Sequence, residues 1–434
     1  MHSKEFRALI SATIRQAEPA VPRCPYFEQC GGCAFQDRAY TGQLEAKQST
    51  LRKLFAEAGF VLPLNLIGSP DPYEYRSRMD YVTTKGRFGL RMRGKFNYIV
   101  DLETCHLIPP AGCVAARAVW LRAIELGLPD YNIRTHEGFL RYIVVRRSPT
   151  DQFMLAAVTA AGGDDSAAAM EQLAATALAQ PGVVSFHWLI NDTLTDLSFG
   201  APRQHWGLEH LPMQVASNTL QIGPNTFFQN NLHLLERLLD DVRDLTVDGR
   251  LSTVDGVSSD GGLLTVDAGT IDRLRLSDEI PSIVHRPPST VADLYGGVGT
   301  IALHLAEHVA ELVTVESAGE SSELAAYNIT ANGHSNVQRV AADVIDYLRA
   351  TEVGRFAVVI VDPPRTGLGP AVCAELLRIL PQSIVYVSCN PLTLIEDLKA
   401  LAPGFAPKLL QGYDMFPHTP HVEMLVQLEA RPAD

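Results

Sequence analysis

The sequence predicts an α/β protein with a C-terminal doubly wound, Rossmann-like sheet, preceded by a cysteine-rich segment and a central α+β region. Three observations carry that expectation. From Thr290 onward, β-branched apolar runs alternate with helical patterns, as in a parallel sheet covered by helices on both faces. Between residues 73 and 220, short strand patterns are interrupted by two helical ones, and near the start three cysteines fall within ten residues. The 434 residues, 46% of them hydrophobic, suffice for two or three domains. The boundaries expected are 1–72, 73–222 and 223–434.

The first segment opens on Cys24-Pro25-Tyr26-Phe27-Glu28-Gln29-Cys30-Gly31-Gly32-Cys33 and runs into a helical pattern around Leu44, Thr50, Leu51, Leu54 and Phe55. The paired glycines permit a tight wrap, and Cys105, in the turn-like Glu103-Thr104-Cys105-His106, supplies a fourth thiol. Four thiolates suit either a zinc ion or an iron–sulfur cluster, and the spacing leaves both open. The seven cysteines are an odd number in a chain without a secretory h-region, which argues against a disulfide framework. Cys113 and Cys373 are expected in the core. No apolar run approaches the roughly 20 residues of a membrane span, so a cytoplasmic protein without membrane contact or an obligate protein partner is expected.

In the central region, strands are expected at 78–84, 141–147, 153–158 and 185–191, and helices near 114–125 and 167–179. The net charge of −13 does not suggest a nucleic-acid partner, because nonspecific phosphate affinity is carried by Lys and Arg. The charge is uneven, however. Residues 71–150 hold thirteen Lys/Arg against eight Asp/Glu, several alternating with Tyr and Phe. Two readings stand: a basic face, or a solvated two-sided sheet surface. Over 239–280 the balance reverses, with ten acidic residues against four Arg. That Gly/Asp/Ser/Thr-rich stretch predicts a hairpin insertion or linker at about 243–288, after a helix starting at Leu232.

The C-terminal region presents its chemistry at strand ends, where open α/β sheets bind ligands. Val291-Ala292-Asp293-Leu294 leads through Tyr295-Gly296-Gly297-Val298-Gly299-Thr300 into a helix, so backbone approaches a ligand closely at the turn. The next apolar run ends in Glu316, seventeen residues after Gly299, where an acid accepts hydrogen bonds from both ribose hydroxyls. A dinucleotide would use the same geometry. The third strand, 356–361, exits into Asp362-Pro363-Pro364-Arg365, whose prolines stiffen the exit and aim Asp362 into the cleft. Such exits are similar to those of S-adenosylmethionine-dependent methyltransferases acting on nucleobases.

Val385-Tyr386-Val387-Ser388-Cys389-Asn390-Pro391 places one thiol at the next strand end. An exocyclic amine needs no such group, being nucleophilic already, whereas carbon 5 of a pyrimidine is not. A thiolate added to C6 generates an enolate that attacks a sulfonium methyl from C5, and a base then removes the C5 proton so that the thiolate can leave. Cys389 fits the nucleophile. Glu423, opening the final apolar strand after Thr419-Pro420-His421-Val422, fits the base. His418 and His421 read equally well as orienting or structural groups.

These motifs, with Tyr413-Asp414-Met415-Phe416-Pro417-His418-Thr419-Pro420-His421-Val422-Glu423 and Phe227-Phe228-Gln229-Asn230-Asn231, together resemble the RNA uracil-5 methyltransferase family. The resemblance implies Gln229, Tyr295, Thr300, Glu316 and Asp362 at the S-adenosylmethionine site, with contact to the target uracil as an alternative for Asp362. It implies Cys389 as nucleophile and Glu423 as base. It shifts the metal reading to a [4Fe-4S] cluster on Cys24, Cys30, Cys33 and Cys105, giving an N-terminal iron–sulfur module, a central α+β RNA-binding domain and a C-terminal methyltransferase domain. Only 23 residues precede Cys24, too few for the small β-barrel RNA-binding domain with which many relatives begin, so the grip on RNA is expected from the central region. The expected substrate leans to 23S ribosomal RNA because of the cluster, with transfer RNA as the alternative. A non-catalytic iron–sulfur RNA-binding protein and an amine-directed methyltransferase are the rival classes. The long acidic connection before the glycine turn departs from the family pattern.

Overall fold

The computed structural model of the protein describes residues 3–162, 166–249, 251 and 290–432. In chain order its elements are α1 (Ser3–Ile14), α2 (Tyr40–Glu57), β1 (Leu64–Ile67), β2 (Arg78–Thr84), β3 (Arg87–Met92), β4 (Lys95–Asp101), α3 (Pro110–Glu125), β5 (Leu140–Arg147), β6 (Phe153–Thr159), α4 (Ser166–Leu178), β7 (Val183–Ile190), β8 (Ala201–Gly207), β9 (Leu211–Val215), β10 (Asn218–Ile222) and α5 (Leu232–Val247). They continue as β11 (Thr290–Leu294), α6 (Thr300–Leu305), β12 (Glu311–Glu316), α7 (Gly319–Ala331), β13 (Val337–Ala341), α8 (Val344–Ala350), β14 (Val358–Val361), α9 (Gly369–Ile379), β15 (Ser383–Ser388), α10 (Pro391–Leu401), β16 (Phe405–Tyr413) and β17 (Glu423–Ala430). The acidic insertion expected at 243–288 begins inside α5, and from residue 252 onward it lies outside the described residues.

The C-terminal sheet runs β1-β16-β17-β15-β14-β11-β12-β13 among the described residues. Its strands are parallel except β17, which is antiparallel to both β15 and β16. Every residue of Val358–Val361 and of Ser383–Ser388 is buried, as befits strands covered on both faces. From β11 the order departs toward β12 on one side and β14 on the other. That reversal opens a crevice at the carboxyl ends of β11 and β14.

The N-terminal segment contributes directly to this sheet. β1 adds to its edge parallel to β16, with Leu64 opposite Leu410 and Ile67 opposite Tyr413. Phe6, Ile10 and Ile14 recur every four residues on α1 and bury one stripe against α2 and the helices over that face, sharing a core with Leu51, Phe55, Leu394 and Phe405.

The central sheet runs β4-β3-β2-β5-β6-β7-β8, with β6 and β7 parallel around the crossover helix α4 and the other pairs antiparallel. Trp120 of α3 and Leu173 of α4 pack on Phe153, Leu155 and Phe186, which makes the α+β layer expected from the sequence. The basic-face expectation needs correction for part of its charge. Arg146 is 1% exposed and donates to the carbonyls of Thr226 (2.6 Å) and Gly223 (3.2 Å). Arg141 donates to the carbonyls of Asn191 (2.5 Å) and Thr193 (2.8 Å), and Arg147 to that of Glu74. A guanidinium carries five donors in a rigid fork, so it satisfies irregular backbone that no strand can pair. These arginines are internal struts. The alternation of cations with aromatics does reach the surface on β3 and β4, where Arg91 stacks 3.9 Å from the centre of the exposed Phe96 ring.

The two sheets share a strand-like link. Ser77 N–H donates to Asn230 (2.8 Å), Leu232 N–H to Tyr75 (3.0 Å), and the Ser77 hydroxyl to the carbonyl of Gln229 (2.9 Å). The segment 229–232 is thereby held by the approach to β2.

Candidate active site

At the carboxyl end of β11 the chain makes the glycine turn. Gly297 and Gly299 take φ of +57° and +88°, which glycine adopts freely, but Tyr295 takes +64°, at a cost on the order of 1–3 kcal/mol. A Cβ on Gly296 would stand 1.9 Å from the Thr314 hydroxyl. The turn therefore presents bare backbone to the crevice. It lines one cavity together with Gln229, Thr300, Asp362, Phe227 and Val387.

Four of the five residues expected at the cofactor, Gln229, Tyr295, Thr300 and Asp362, meet in that cavity. Glu316 stands beside it at the end of β12, accepting from the N–H groups of Gly297 (3.0 Å) and Ala318 (2.7 Å). Its carboxylate thus fixes the turn and retains lone pairs for further donors. Gln229 donates its amide to Asp362 (3.2 Å), and burial pushes the Asp362 carboxyl up to about 7. Beneath them Asp293 accepts from the Thr314 hydroxyl (3.2 Å) and is likewise raised to about 7 by burial.

The antiparallel course of β17 brings the thiol and the carboxyl together. Ser388 at the end of β15 pairs with Met424, so the residues one step beyond, Cys389 and Glu423, face one another across the strand ends. Burial raises Glu423 well above its ordinary range, with Asp362 adding to the rise and Arg365 opposing it. The Cys389 thiol is pushed up to about 11 by burial first and by Glu423 second, while Arg365 draws it down and hydrogen-bonds to it. Asn390 caps α10 through Leu392 N–H (3.3 Å) and donates to the carbonyl of Arg365 (2.9 Å). The Asp-Pro-Pro-Arg exit and the Cys-Asn-Pro turn are thus one unit.

The loop before Glu423 is held from the N-terminal segment. Lys47 of α2, fully buried, donates to Asp414 (2.6 Å) and to the carbonyls of His421 (3.0 Å) and Phe416 (3.4 Å). Gln43 contacts Nδ1 of His418 (3.2 Å), whose ring packs against Tyr73. Burial lowers both His418 and His421 to about 4, so each is neutral near pH 7.

Cys24, Cys30, Cys33 and Cys105 line one shared cavity, and all four are free thiols. Gly31 and Gly32 allow the loop to press on β3: a Cβ on Gly31 would stand 2.9 Å from the Arg91 carbonyl oxygen. Arg93 anchors the loop through the carbonyls of Cys33 (2.6 Å) and Phe27 (2.9 Å). Among the described residues no three His, Cys, Asp or Glu side chains form a group that could hold a metal ion. Cys113 and Cys373 are buried in the cores, as expected.

Sequence reasoning gave no role to Lys47 or to Arg365. Arg365 was legible as a cation next to the Asp-Pro-Pro exit. Nothing in the local sequence marks Lys47, whose partners lie more than 360 residues away.

A glycine turn, a ribose-spaced acid and a strand-end thiol facing a carboxyl, all on this strand order, define a Rossmann-fold methyltransferase equipped for a carbon acceptor. Residues 281–431 match the family model described as tRNA (Uracil-5-)-methyltransferase. The chain is 32% identical over 410 residues to the tRNA (uracil(54)-C(5))-methyltransferase of Pyrococcus horikoshii, covering 94% of this chain and 85% of that one. An RNA methyltransferase of Caldanaerobacter subterraneus of uncharacterised specificity is 29% identical over 417 residues, covering 94% and 84%. The crystal structure of the Pyrococcus abyssi tRNA (uracil-54, C5)-methyltransferase in complex with S-adenosyl-L-homocysteine superposes with a TM-score of 0.70 at 29% identity, covering 92% of this chain and 86% of that one. The chain belongs to the RNA uracil-5 methyltransferase family, and it is an S-adenosylmethionine-dependent RNA uracil-C5 methyltransferase.

Proposed function

We propose that Cys389 and Glu423 carry out methylation of a uridine in transfer RNA, on the reading that the cavity under the glycine turn holds the methyl donor. The observation that carries the assignment is the cross-strand pairing that sets Cys389 against Glu423 beside Asp362. The Cys389 thiolate adds to C6 of the uracil, and the electron pair displaced from the C5–C6 bond is held as the enolate. S-adenosylmethionine supplies the methyl group to C5 and leaves as the neutral thioether. Glu423 takes the C5 proton, C5=C6 re-forms, and the thiolate departs. A carboxylate in a dry site is a stronger base than one in water, which suits that proton transfer. Gln229, Tyr295, Thr300 and Glu316 orient the donor, and Asp362 bridges donor and base.

The choice of transfer RNA follows the relatives with named substrates, and it displaces the sequence-based lean toward 23S ribosomal RNA. In functional terms we divide the chain into a cysteine-bearing segment (1–72), a central RNA-binding region (73–222) and the methyltransferase region (223–434). A [4Fe-4S] cluster is the reading we propose for the four free thiols that share one cavity, Cys24, Cys30, Cys33 and Cys105, whose side chains do not stand as a ligand group in this structure and would have to draw together around it. It would tie the N-terminal loop to the turn after β4, with no part in a redox-neutral methyl transfer. Iron and acid-labile sulfide in equal amounts after anaerobic purification, lost in Cys105→Ser, would bear this out; zinc in their place would overturn it. A cytoplasmic location accords with an RNA substrate and reduced thiols.

The test uses RNA carrying 5-fluorouridine, whose C5 substituent no base can remove. Incubation of transfer RNA and 23S fragments so labelled should yield, with the donor present, a covalent protein–RNA complex on transfer RNA that disappears in Cys389→Ala. A complex that survives that substitution removes Cys389 as nucleophile, and trapping of the ribosomal fragment alone removes the transfer RNA assignment.

A further inference from the structure

The cleft that gives access to Cys389 is not built by the C-terminal sheet alone. Its walls are Arg365, Asn390, Pro391 and the 420–422 loop on one side, and Phe6 and Arg7 of α1 on the other. Phe6 is 4% exposed and anchors the helix in the core shared with α2, while Arg7, one residue on, is exposed at the cleft. The positive charges of Arg365, Arg7 and Arg76 bear on His421 in the same wall, in that order of strength, while that of Lys47 is offset by its buried partner Asp414. His421 is itself neutral, and Glu423 and Asp362 behind it are raised by burial toward their uncharged forms. The mouth of the nucleophile cleft is therefore electropositive in a protein whose formal net charge is −13.

A nucleotide that reaches Cys389 must bring an anion with it. In the usual anti conformation of a pyrimidine nucleoside, C6 lies over the sugar's 5′ oxygen, so the carbon that the thiolate attacks is the ring atom nearest the 5′-phosphate. Placing C6 on the Cys389 sulfur leaves that phosphate within reach of the same cleft, whose lining includes both Arg7 and Arg365. Arginine forks suit a phosphodiester, each giving two parallel donors to its two free oxygens.

We propose that Arg7 and Arg365 form a phosphate clamp at the entrance to the Cys389 cleft, holding the 5′-phosphate of the flipped-out uridine. The N-terminal helix, remote in sequence from the methyltransferase motifs, thus supplies part of the substrate site. The clamp rests on the reading of Cys389 as nucleophile, but the anion site can be tested without RNA.

The first arm compares alkylation of Cys389 by iodoacetate and by iodoacetamide, followed by peptide mapping. A free thiolate reacts with the neutral reagent at least as fast as with the anion. In the full-length protein the iodoacetate rate should exceed the iodoacetamide rate and saturate, and inorganic phosphate should protect competitively. Arg7→Ala should lower the ratio of the two rates about tenfold, the loss of one charge-assisted contact, and Arg7→Lys should recover part of it. The second arm measures methylation of whichever 5-fluorouridine-trapped RNA class the wild type modifies, where Arg7→Ala should raise KM about tenfold with a much smaller effect on kcat. Equal ratios in wild type and Arg7→Ala would overturn the anion site. A normal ratio response with an unchanged KM would overturn its assignment to RNA phosphate. Absence of any trapped RNA with the wild type would instead count against Cys389 as nucleophile, and the alkylation arm would still decide the anion site.

Discussion

Burial raises both Cys389 and Glu423, and the charge of Glu423 raises the thiol further, which decides what Cys389 can do before RNA arrives. With the thiol pushed up to about 11, the resting enzyme holds Cys389 protonated at neutral pH, which guards it from adventitious alkylation. The reactive form is the thiolate, so labelling of Cys389 by iodoacetamide should climb about tenfold per pH unit from neutrality and level off only near pH 11. A plateau near pH 8 would mean that Arg365 outweighs burial. Glu423→Gln keeps the volume and removes the carboxylate proposed as base. Its turnover should fall by about two to four orders of magnitude, with a methylated covalent RNA adduct accumulating on unmodified uridine substrate. If no adduct accumulates while turnover falls, Glu423 acts before methyl transfer and another group takes the C5 proton.

At the scale of elements, α2 and the loop that precedes β17 behave as one body through Lys47. Removing one member of a buried ion pair strands the other charge, a loss of about 3–5 kcal/mol. Lys47→Met should destabilise the protein by that order in urea unfolding, and adding Asp414→Leu should restore much of it. Equal losses in the single and double variants would show that the two charges are not coupled in the folded state. Much of this architecture was legible. Strand patterns such as Arg78–Thr84 and the run before Asp362 appear where expected, because period-two alternation and unbroken apolar runs are local properties. What was not legible is long-range. Exposed, polar β8 has no apolar face to announce it, and β1, only four residues long, is fixed as a strand by its pairing with β16. The same divide runs through the site: motif residues came from strand-end spacing and from the family resemblance, but Lys47 and Arg7 reach it only through tertiary packing. The basic stretch misled in part because a count of arginines does not say which ones are buried under loop carbonyls.

For the whole molecule, the segment 223–232 joins the two sheets, since one strand-like stretch both lines the cavity under the glycine turn and pairs with the approach to the central sheet. Gln229 faces the cavity with its side chain while its carbonyl is held by Ser77. Arg146, in the central sheet, supports the start of the same stretch at Gly223 and Thr226. Arg146→Met should therefore weaken S-adenosylhomocysteine binding in calorimetry, although Arg146 does not line the cavity, because three buried carbonyls lose a donor and the stretch loosens. An unchanged affinity would show that Ser77 and Tyr75 suffice to hold Gln229. Linkage makes any such coupling reciprocal: if RNA steadies the central sheet, bound RNA should tighten binding of the cofactor product, by the same factor that the product tightens RNA.

The edge pairing of β1 with β16 has a consequence for how the protein is made. Asn65 and Gln411, joined across that pair, are 346 residues apart, so the earlier strand waits for one synthesised long after it. Throughout elongation the early strand keeps an open edge and α1 and α2 lack most of the surface they cover, the kind of exposure that invites wrong partners. The cleft around Cys389 takes walls from α1 and from the 420–422 loop, so it is complete only once two segments far apart in the chain have both left the ribosome.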